Sequence, residues 1–208
     1  MKKLLILFCV CNLMFIYSCK DDEDTELTKG IEGTHLKIDD IKAYLPIEFE
    51  TGKKAVYTDA NKNETTLSIS YEEYTATAQY GGQSYLSDKV EISLYMAENP
   101  NFLIALLPGA NYAVGNSIVR AISVVMMPGN QSGSIIGSIK FDENGNPIHG
   151  MLDDFRETLN LQDKTFKDCF VLKNNAALAY SEIYINSDVG VVAFRDEVNK
   201  RWVFDRFE

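Results

Sequence analysis

Apolar and polar positions alternate along two long stretches of the chain. Apolar residues recur at every second position in segments 67–71 and 90–96, and the positions between them are mostly polar. This period of two is typical of a β-strand with one face in the core and one in solvent. Segments 102–107 and 121–127 are apolar almost throughout, so we expect strands there that are covered on both faces.

Residue pairs that favour turns separate these segments. They are Gly81-Gly82, Pro108-Gly109, Pro128-Gly129 and Asn144-Gly145. If Ile118–Met127 is one strand, its residues at about 3.3 Å each place the loops 108–117 and 128–134 roughly 30 Å apart. Those two loops are therefore predicted to be simple turns at opposite ends of a strand, and not one binding site.

One segment of the C-terminal half admits two interpretations. Leu152, Phe155 and Leu159 lie at roughly helical spacing, which would make a helix. A hairpin between Phe155–Leu161 and Thr165–Leu172 fits as well and is favoured. The chain as a whole is predicted to be all-β and mainly antiparallel, a single barrel-like or sandwich meander of about ten strands.

The N-terminus has the layout of a secretory signal peptide. Two lysines precede an apolar run, Leu4 to Tyr17, and the small residue Ser18 follows it. The run is too short to span a bilayer comfortably, because a transmembrane helix needs about 20 apolar residues. Residues 1–18 are therefore predicted to be removed, which makes Cys19 the first residue of the mature chain.

The segment Ile16-Tyr17-Ser18-Cys19 resembles a bacterial lipobox, in which the cysteine after the cut carries acyl chains. The resemblance implies that Cys19 is the lipid attachment site and that the mature chain is anchored to an envelope membrane. Each buried methylene contributes about 0.8 kcal/mol, so two or three acyl chains would hold the protein firmly. The alternative is an ordinary signal peptide with a cysteine nearby by chance.

An acidic run follows the predicted anchor. It consists of Lys20, Asp21, Asp22, Glu23 and Asp24. The run is similar to the export signal that sends lipoproteins of the Bacteroides group to the outer face of the outer membrane. The alternative is a solvated acidic tether, since like charges repel and stay disordered. Residues 19–33 are predicted to be the lipidated tether and residues 34–208 the β-rich globular domain.

Removal of the signal peptide changes both the charge and the cysteine content. It takes away two of the twenty basic residues and none of the thirty acidic ones, so the mature chain has a net charge of −12. We therefore expect no nucleic acid partner, since a basic surface is the usual requirement. Only Cys19 and Cys169 remain of the four cysteines, and acylation of Cys19 would leave no intramolecular disulfide.

Four segments near the C-terminus have the length and composition of short strands. They are Thr165–Leu172, Ser181–Tyr184, Gly190–Asp196 and Arg201–Phe204. Together they resemble the closing β-meander of many uncharacterised surface lipoproteins of the Bacteroides group (Bacteroidota). The segment from Tyr44 to Ile69, with Pro46, Gly52 and Tyr57, looks like the opening of the same kind of domain. The resemblance implies an antiparallel β domain on a membrane anchor and carries no known activity with it.

Few residues offer metal-binding or nucleophilic chemistry. The two histidines, His35 and His149, are predicted to be exposed loop residues, and their spacing from nearby carboxylates matches no zinc pattern. Those carboxylates are Asp39, Asp40, Asp153 and Asp154. Cys169 is predicted to be buried core filler, because its neighbours are apolar and no nearby histidine would activate the thiol.

Acid–base catalysis has equally weak support. The adjacent carboxylate pairs Asp153-Asp154 and Asp196-Glu197 are not expected to cooperate, because neighbours on a strand point to opposite faces. Several tyrosines cluster in one region and would suit the binding of sugars or proteins if exposed, although tyrosine is also a common strand residue. They are Tyr71, Tyr74, Tyr80, Tyr85 and Tyr95.

The sequence therefore predicts a membrane-anchored envelope lipoprotein, exposed at the cell surface, with a non-catalytic binding or structural role. Its ligand would be a glycan or a protein, and no cofactor or metal is predicted. The alternatives are a lipocalin-like carrier of a small apolar ligand, which needs a cavity inside a closed barrel, and a carboxylate-dependent hydrolase, which needs converging acids.

Overall fold

The computed structural model describes residues 31–99, 101–127, 134–148, 154–173, 182–196 and 198–208. The strands are β1 (His35–Leu36), β2 (Lys54–Thr58), β3 (Glu64–Tyr80), β4 (Gln83–Met96), β5 (Leu103–Ala113), β6 (Ser117–Met127), β7 (Ser134–Phe141), β8 (Pro147–Ile148), β9 (Asp154–Leu161), β10 (Lys164–Lys173), β11 (Glu182–Asn186), β12 (Gly190–Arg195) and β13 (Arg201–Phe207). Helix α1 spans Asp39–Lys42, and a 3-10 turn spans Val114–Asn116. The predicted all-β class is confirmed.

Twelve of these strands form one continuous antiparallel sheet in the order β8-β7-β6-β5-β4-β3-β2-β13-β12-β11-β10-β9. The two-residue strand β1 pairs in parallel with β4 beside this path. The sheet curls into a half-barrel, so that a methyl group placed on Gly137 in β7 would lie 3.2 Å from Leu172 in β10. The described residues thus form a barrel-like fold without a second sheet. The strand count exceeds the predicted ten partly because strands as short as β1 and β8 show no periodicity.

Aromatic rings fill the concave side of the sheet. The ring centroid of Phe194 lies 5.0 Å from that of Tyr57 and 5.1 Å from that of Phe102. The Tyr57 ring also meets Phe204 at 5.8 Å, and all four side chains are buried. Such ring pairs contribute about 0.5–1.5 kcal/mol each beyond the area they bury. These contacts join strands from both halves of the sheet into one core.

The C-terminal meander is buried on its convex face as well. In β12 the consecutive residues 191–194 are all fully buried, so both faces of this strand are covered. A second apolar cluster covers the convex side, separate from the main core. It contains Leu161, Cys169, Val171, Tyr184, Val192, Ala193 and Val203. The continuous apolar pattern of this region reflects two covered faces.

The two other continuous apolar runs behave differently from each other. In β5, residues 104–106 are fully buried, but Leu103 and Leu107 on the Ala105 face are half-buried, so the prediction of two covered faces holds only in the middle of 102–107. In β6, buried residues alternate with half-buried ones from Ile122 to Met126, so the prediction of two covered faces is wrong for 121–127. Its apolar residues on the convex side remain partly accessible to solvent, as many apolar atoms do on folded proteins.

Two of the predicted turns are confirmed and one is wrong. Gly82 and Gly145 have positive φ angles of 78° and 77° at the tips of hairpins. Pro108-Gly109 instead lies inside β5, where Pro108 pairs with Ile122 of β6. On its other side the pairing of β5 with β4 is interrupted at this point, so proline, which has no N–H, is tolerated. Pro128-Gly129 lies outside the described residues.

The hairpin interpretation of the C-terminal half is confirmed. β9 pairs with β10 in an antiparallel register from Asp154 to Leu161, and Gln162 adopts a left-handed φ of 55° in the tight turn. The residue Leu152, which the helical alternative requires, lies outside the described residues. The single strand predicted at Ile118–Met127 is confirmed as β6.

Candidate functional site

The start of the described chain is fastened to the tip of the β3–β4 hairpin. The backbone N–H of Gly33 donates to the Ser84 carbonyl at 3.0 Å, and the Ser84 N–H donates to Glu32 Oε2 at 2.8 Å. Ile31 is only 2 % exposed. The packed part of the chain therefore begins by Ile31, inside the segment 19–33 that the sequence assigns to the tether.

The length of β3 separates this hairpin tip from the opposite end of the domain. The 17 residues of β3, at about 3.3 Å each, span roughly 55 Å. The far end carries the β2–β3 loop (59–63), the β9–β10 turn (162–163) and the β12–β13 loop (196–200), which together we call the loop end. The loop end therefore lies about the length of β3 away from the hairpin tip, where the described chain begins.

A polar groove of about 230 Å³ lies between α1 and the β3–β4 hairpin. In and beside it, Lys42 Nζ lies 2.8 Å from Glu73 Oε2, and His35 Nε2 lies 2.7 Å from Asp88 Oδ1. The hydrogen bond from His35 lowers the pKa of Asp88, and the hydrogen bond from Lys42 lowers that of Glu73. Both carboxylates are therefore ionised at neutral pH and suited to accept hydrogen bonds, not to donate protons.

A second groove, of about 270 Å³, lies at the loop end. Lys200 Nζ lies 2.6 Å from Asp59 Oδ2 and so links two of the loops. The third is linked by Gln162, whose Nε2 donates to the Thr58 carbonyl at 3.2 Å. Lys200 Nζ also lies 4.0 Å from the centroid of the Trp202 ring, a cation–π contact. These contacts make the three loops one connected surface.

Asp59 begins a loop conformation that occurs three times among the described residues. Its Oδ1 accepts the backbone N–H groups of the residues two and four positions later, both at 2.8 Å. Asp142 does the same at 2.9 and 2.8 Å, and Asp196 at 3.1 and 2.9 Å. The residue three positions after each aspartate has a positive φ, between 62° and 77°. Each carboxylate therefore holds its own loop in shape.

The sequence contains a signal common to these loops, of which only the Asn144-Gly145 pair is among the predicted turns. Segments 59–63 and 142–146 both read Asp-x-Asn-x-Asn, and 196–200 keeps the aspartate with asparagine one place earlier. Asparagine tolerates the left-handed region and binds its own backbone in turns. The pattern predicts tight hairpin loops, and all three segments connect consecutive antiparallel strands.

The Asp59 carboxylate should make stability depend on acid pH. The hydrogen bond from Lys200, and next that from the Asn63 amide, holds the pKa of Asp59 well below its usual range. A lowered pKa contributes stability that is present above about pH 4, the unfolded value, and is lost as the pH falls through the folded value. We expect Asp59→Asn to lose less stability than the wild type between neutral and strongly acid pH.

Denaturant unfolding at a series of pH values measures this effect. Asp163→Asn is the matched control, because Asp163 pairs with Lys62 at the same end of the domain but its side chain is 65 % exposed. The Asp59 side chain is only 3 % exposed and its ion pair is less screened by solvent, so its removal should change the pH slope more. Identical slopes for the wild type and Asp59→Asn would contradict the assignment.

The predicted lipid and export residues lie outside the described part of the chain. They are Cys19, Lys20, Asp21, Asp22, Glu23 and Asp24. His149, Asp153 and Glu197 are also outside it, and nothing is described of the Asp154 side chain. The lipidation site and the surface signal therefore remain predictions.

His35 is exposed as predicted, but it lies in β1 and not in a loop. Of the carboxylates near it in sequence, Asp40 forms an ion pair with Arg120, in which Oδ2 and Nε lie 3.2 Å apart. Within the described ranges, no three His, Cys, Asp or Glu side chains are grouped so that they could hold a metal ion. The histidine's observed partner is a carboxylate, Asp88.

Cys169 is fully buried, as the apolar run predicts. Burial, with the nearby charges of Asp168 and Asp188 as smaller causes, raises the pKa of its thiol to about 12. The register with β9 is the same before and after Asp168, so strand alternation places Cys169 on the same face as Val171, in the convex cluster. A nucleophile requires the thiolate, which this environment disfavours.

The tyrosines singled out in the sequence do not form one surface. Tyr85 is buried, and its ring packs edge-on against Tyr112 with centroids 4.9 Å apart. Tyr74 and Tyr95 are each 42 % exposed, whereas Tyr71 and Tyr80 are half-buried. Most of this group thus serves the packing of the long hairpin, and Tyr74 lines the groove beside α1.

One carboxyl group among the described residues has a clearly raised pKa. Burial, and to a smaller extent the charge of Glu72, raises the pKa of Glu91. The two residues lie opposite each other in the β3–β4 register. Glu91 lines neither of the two grooves described above.

Comparisons of the chain with protein-family models, with curated proteins and with solved structures found no match. In the part of the chain that the structure describes, no helix is long and apolar enough to cross a membrane.

Proposed function

We propose that the chain is a lipid-anchored envelope lipoprotein of the outer membrane that faces the exterior and has a non-catalytic binding role. The attachment of Ile31–Gly33 to the hairpin tip is the observation that carries this proposal. It follows the predicted anchor Cys19 by about a dozen residues, which would reach roughly 20 Å if they form the tether that the sequence predicts. The lipid would therefore hold the hairpin tip close to the membrane.

The same attachment supports the loop end as the binding surface. With the tip toward the membrane, the loops around Asp59 and Lys200 lie roughly 55 Å further along β3. They carry side chains of both charges around a groove of about 270 Å³, and such features bind sugars or polar protein side chains. A glycan or a protein is therefore the proposed class of ligand.

The state of the titratable groups supports a role without catalysis. Glu73 and Asp88 are paired with cations and have lowered pKa values, and Cys169 is buried with a raised one. Catalytic acids and nucleophiles need the opposite shifts. The concave side is filled by rings such as Tyr57 and Phe194, which favours a packed core over an apolar carrier cavity.

Two variants test the anchor and the export signal separately. Cys19→Ala should abolish acylation and leave uncleaved precursor, because lipoprotein processing acts on the modified cysteine. Replacement of Asp21, Asp22, Glu23 and Asp24 by alanine should leave lipidation intact but retain the protein on the periplasmic side. Metabolic labelling with a radioactive fatty acid measures the first effect, and protease digestion of intact cells measures the second.

Alanine replacement of residues 25–28, in the same tether but behind the acidic run, is the matched control and should leave the protein accessible to protease. Retention of labelled lipid by Cys19→Ala would refute the anchor. Equal digestion of the wild type and the acidic-run variant would refute the export signal and leave the run a solvated tether.

A further inference from the structure

The tip of the β5–β6 hairpin, Val114–Asn116, lies beside the point where the described chain begins. Thr34 Oγ1 is 3.2 Å from the hydroxyl oxygen of Tyr112, the last residue but one of β5. The Tyr112 ring also packs edge-on against Tyr85, which belongs to the β3–β4 hairpin that holds the start of the chain. The two hairpin tips and the start of the described chain therefore form one end of the domain, which we call the tip end.

Apolar side chains are exposed at the tip end. Val114 is 89 % exposed, and Ile118 and Val119 are 38 % and 39 % exposed. Because Ile118 and Val119 are neighbours on β6, they point to opposite faces, so this end of the strand is open on both sides. Leu86, whose N–H donates to the Thr34 carbonyl, is 40 % exposed. Single apolar residues are ordinary on a protein surface, whereas a group of them at one end is typical of a protein or membrane contact.

The two hairpin tips carry no charge. Residues 75–87 and 108–119 contain no Asp, Glu, Lys or Arg, although the mature chain has a net charge of −12. Glu32 lies beside them, and its carboxylate accepts a backbone N–H of the β3–β4 hairpin at 2.8 Å. At the loop end, in contrast, Asp59 and Lys200 form an ion pair. Charged groups are costly to move from water to lipid, so the uncharged end of the domain is the one suited to contact a bilayer.

Tyrosine rings lie between the apolar tip and the first charged residues. Tyr80 and Tyr112 are half-buried, and their ring centroids are 6.4 Å apart. The charged residues Asp88 and Arg120 come next along the two hairpins. Tyrosine favours the boundary between hydrocarbon and water, because its ring is apolar and its hydroxyl is polar. The order from Val114 inward, apolar then tyrosine then charged, is that of a protein surface that meets a membrane.

We propose that the tip end contacts the lipid bilayer that carries the anchor, with the β5–β6 tip inserted among the lipid headgroups. This inference rests on the proposed lipid attachment at Cys19. The described chain begins at Ile31, about a dozen residues after that cysteine, which would reach roughly 20 Å as a tether. Because the chain enters the fold at the tip end, such a tether keeps this end within reach of the lipid and leaves the loop end roughly 55 Å farther away.

The β5–β6 tip projects beyond the neighbouring strand β7. β7 pairs with β6 only as far as Arg120, which lies opposite Phe141. Residues 117–119 extend past this pair by roughly 10 Å, at about 3.3 Å each. The acidic residues Asp142 and Glu143 follow Phe141 directly and therefore begin a loop behind the apolar tip. Because anionic lipids would repel these carboxylates, a zwitterionic bilayer is the proposed surface.

Fluorescence quenching on the full-length processed protein tests this contact. Val114→Cys, labelled with a dye that fluoresces in apolar surroundings, is reconstituted into phosphatidylcholine vesicles that carry nitroxide groups on their acyl chains. Nitroxides quench only the dyes that lie close to them. We expect at least roughly threefold stronger quenching for Val114→Cys than for the control, because an apolar group inserted at the interface lies about 5–10 Å into the boundary between headgroups and acyl chains.

Val198→Cys is the matched control. Val198 is also an exposed valine in a hairpin loop, at 74 %, but it lies at the loop end. The native Cys169 does not compete for the dye, because its side chain is fully buried. Addition of Val119→Asp to Val114→Cys should lower the quenching at least roughly twofold, since a carboxylate resists transfer into lipid. The same addition should leave the quenching of Val198→Cys unchanged.

Flotation of the same vesicles separates failure of the contact from failure of the anchor. Protein that floats with the vesicles but is quenched equally at the two labelled positions would overturn the contact and leave the anchor standing. Protein that stays in solution would refute the anchor, and with it both the proposed function and this inference. Quenching of Val114→Cys that is insensitive to Val119→Asp would also overturn insertion of the β5–β6 tip.

Discussion

Gly190→Ala is expected to destabilise the domain by about 2–5 kcal/mol. Gly190 has a φ of 71°, a left-handed conformation that costs an L-residue roughly 1–2 kcal/mol. A methyl group there would also lie 2.2 Å from Cζ of Phe49, whose ring is buried. Overpacking of this kind adds about 1–3 kcal/mol. Urea unfolding of the purified protein measures the sum.

Two further variants separate strain from overpacking. Gly52 has a φ of 93° but nothing within 4 Å of the added methyl group, so Gly52→Ala should cost only the strain. Phe49→Leu removes the clashing ring atoms, and the double variant with Gly190→Ala should therefore be more stable than the sum of the single effects predicts. Equal losses for Gly190→Ala and Gly52→Ala would show that Phe49 moves away at no cost.

Tyr57→Ala is expected to destabilise the domain by about 3–5 kcal/mol, the usual loss for a large aromatic residue in a core. Its fully buried ring contacts Phe194 and Phe204, and its hydroxyl donates to the Val191 carbonyl at 2.9 Å. The side chain thus joins β2 to the C-terminal meander through both packing and a hydrogen bond.

Tyr57→Phe removes only the hydroxyl and should cost about 1–3 kcal/mol, because the buried carbonyl of Val191 loses its donor. Tyr95→Ala is the matched control, since Tyr95 is 42 % exposed and its removal should cost less than about 1 kcal/mol. If Tyr57→Ala and Tyr95→Ala unfold at the same temperature or urea concentration, the Tyr57 side chain does not contribute the stability expected from its burial.

The parts of the fold that local patterns specify were predictable. The alternation at 90–96 marks β4, and the polar turn after Leu161 marks the β9–β10 hairpin, because side-chain period and turn chemistry act over a few residues. The outer half of β3 alternates only weakly, because small alanines occupy two of its three half-buried positions and alanine does not favour strands. It is a strand because β4 pairs with it through the turn at Gly81-Gly82.

Contacts between distant segments were beyond local reasoning. Pro108-Gly109 has turn chemistry, but pairing with β6 holds it extended. The connection between two loops of the loop end depends on the ion pair of Asp59 with Lys200, and these two residues are separated in sequence by most of the domain. The clamp of Gly33 on Ser84 is equally non-local, and a strand of two residues carries no periodic signal.

The position of β13 sets the order in which the protein can assemble during synthesis. β13 pairs with β2 on one side and with β12 on the other, so it joins the two halves of the sheet. Until the ribosome has released residues 201–207, β2 and β12 each lack their neighbour, and contacts of such long sequence separation form slowly. The sheet therefore cannot close while residues 201–207 are still being synthesised, and the first 200 residues must wait with β2 and β12 unpaired on that side.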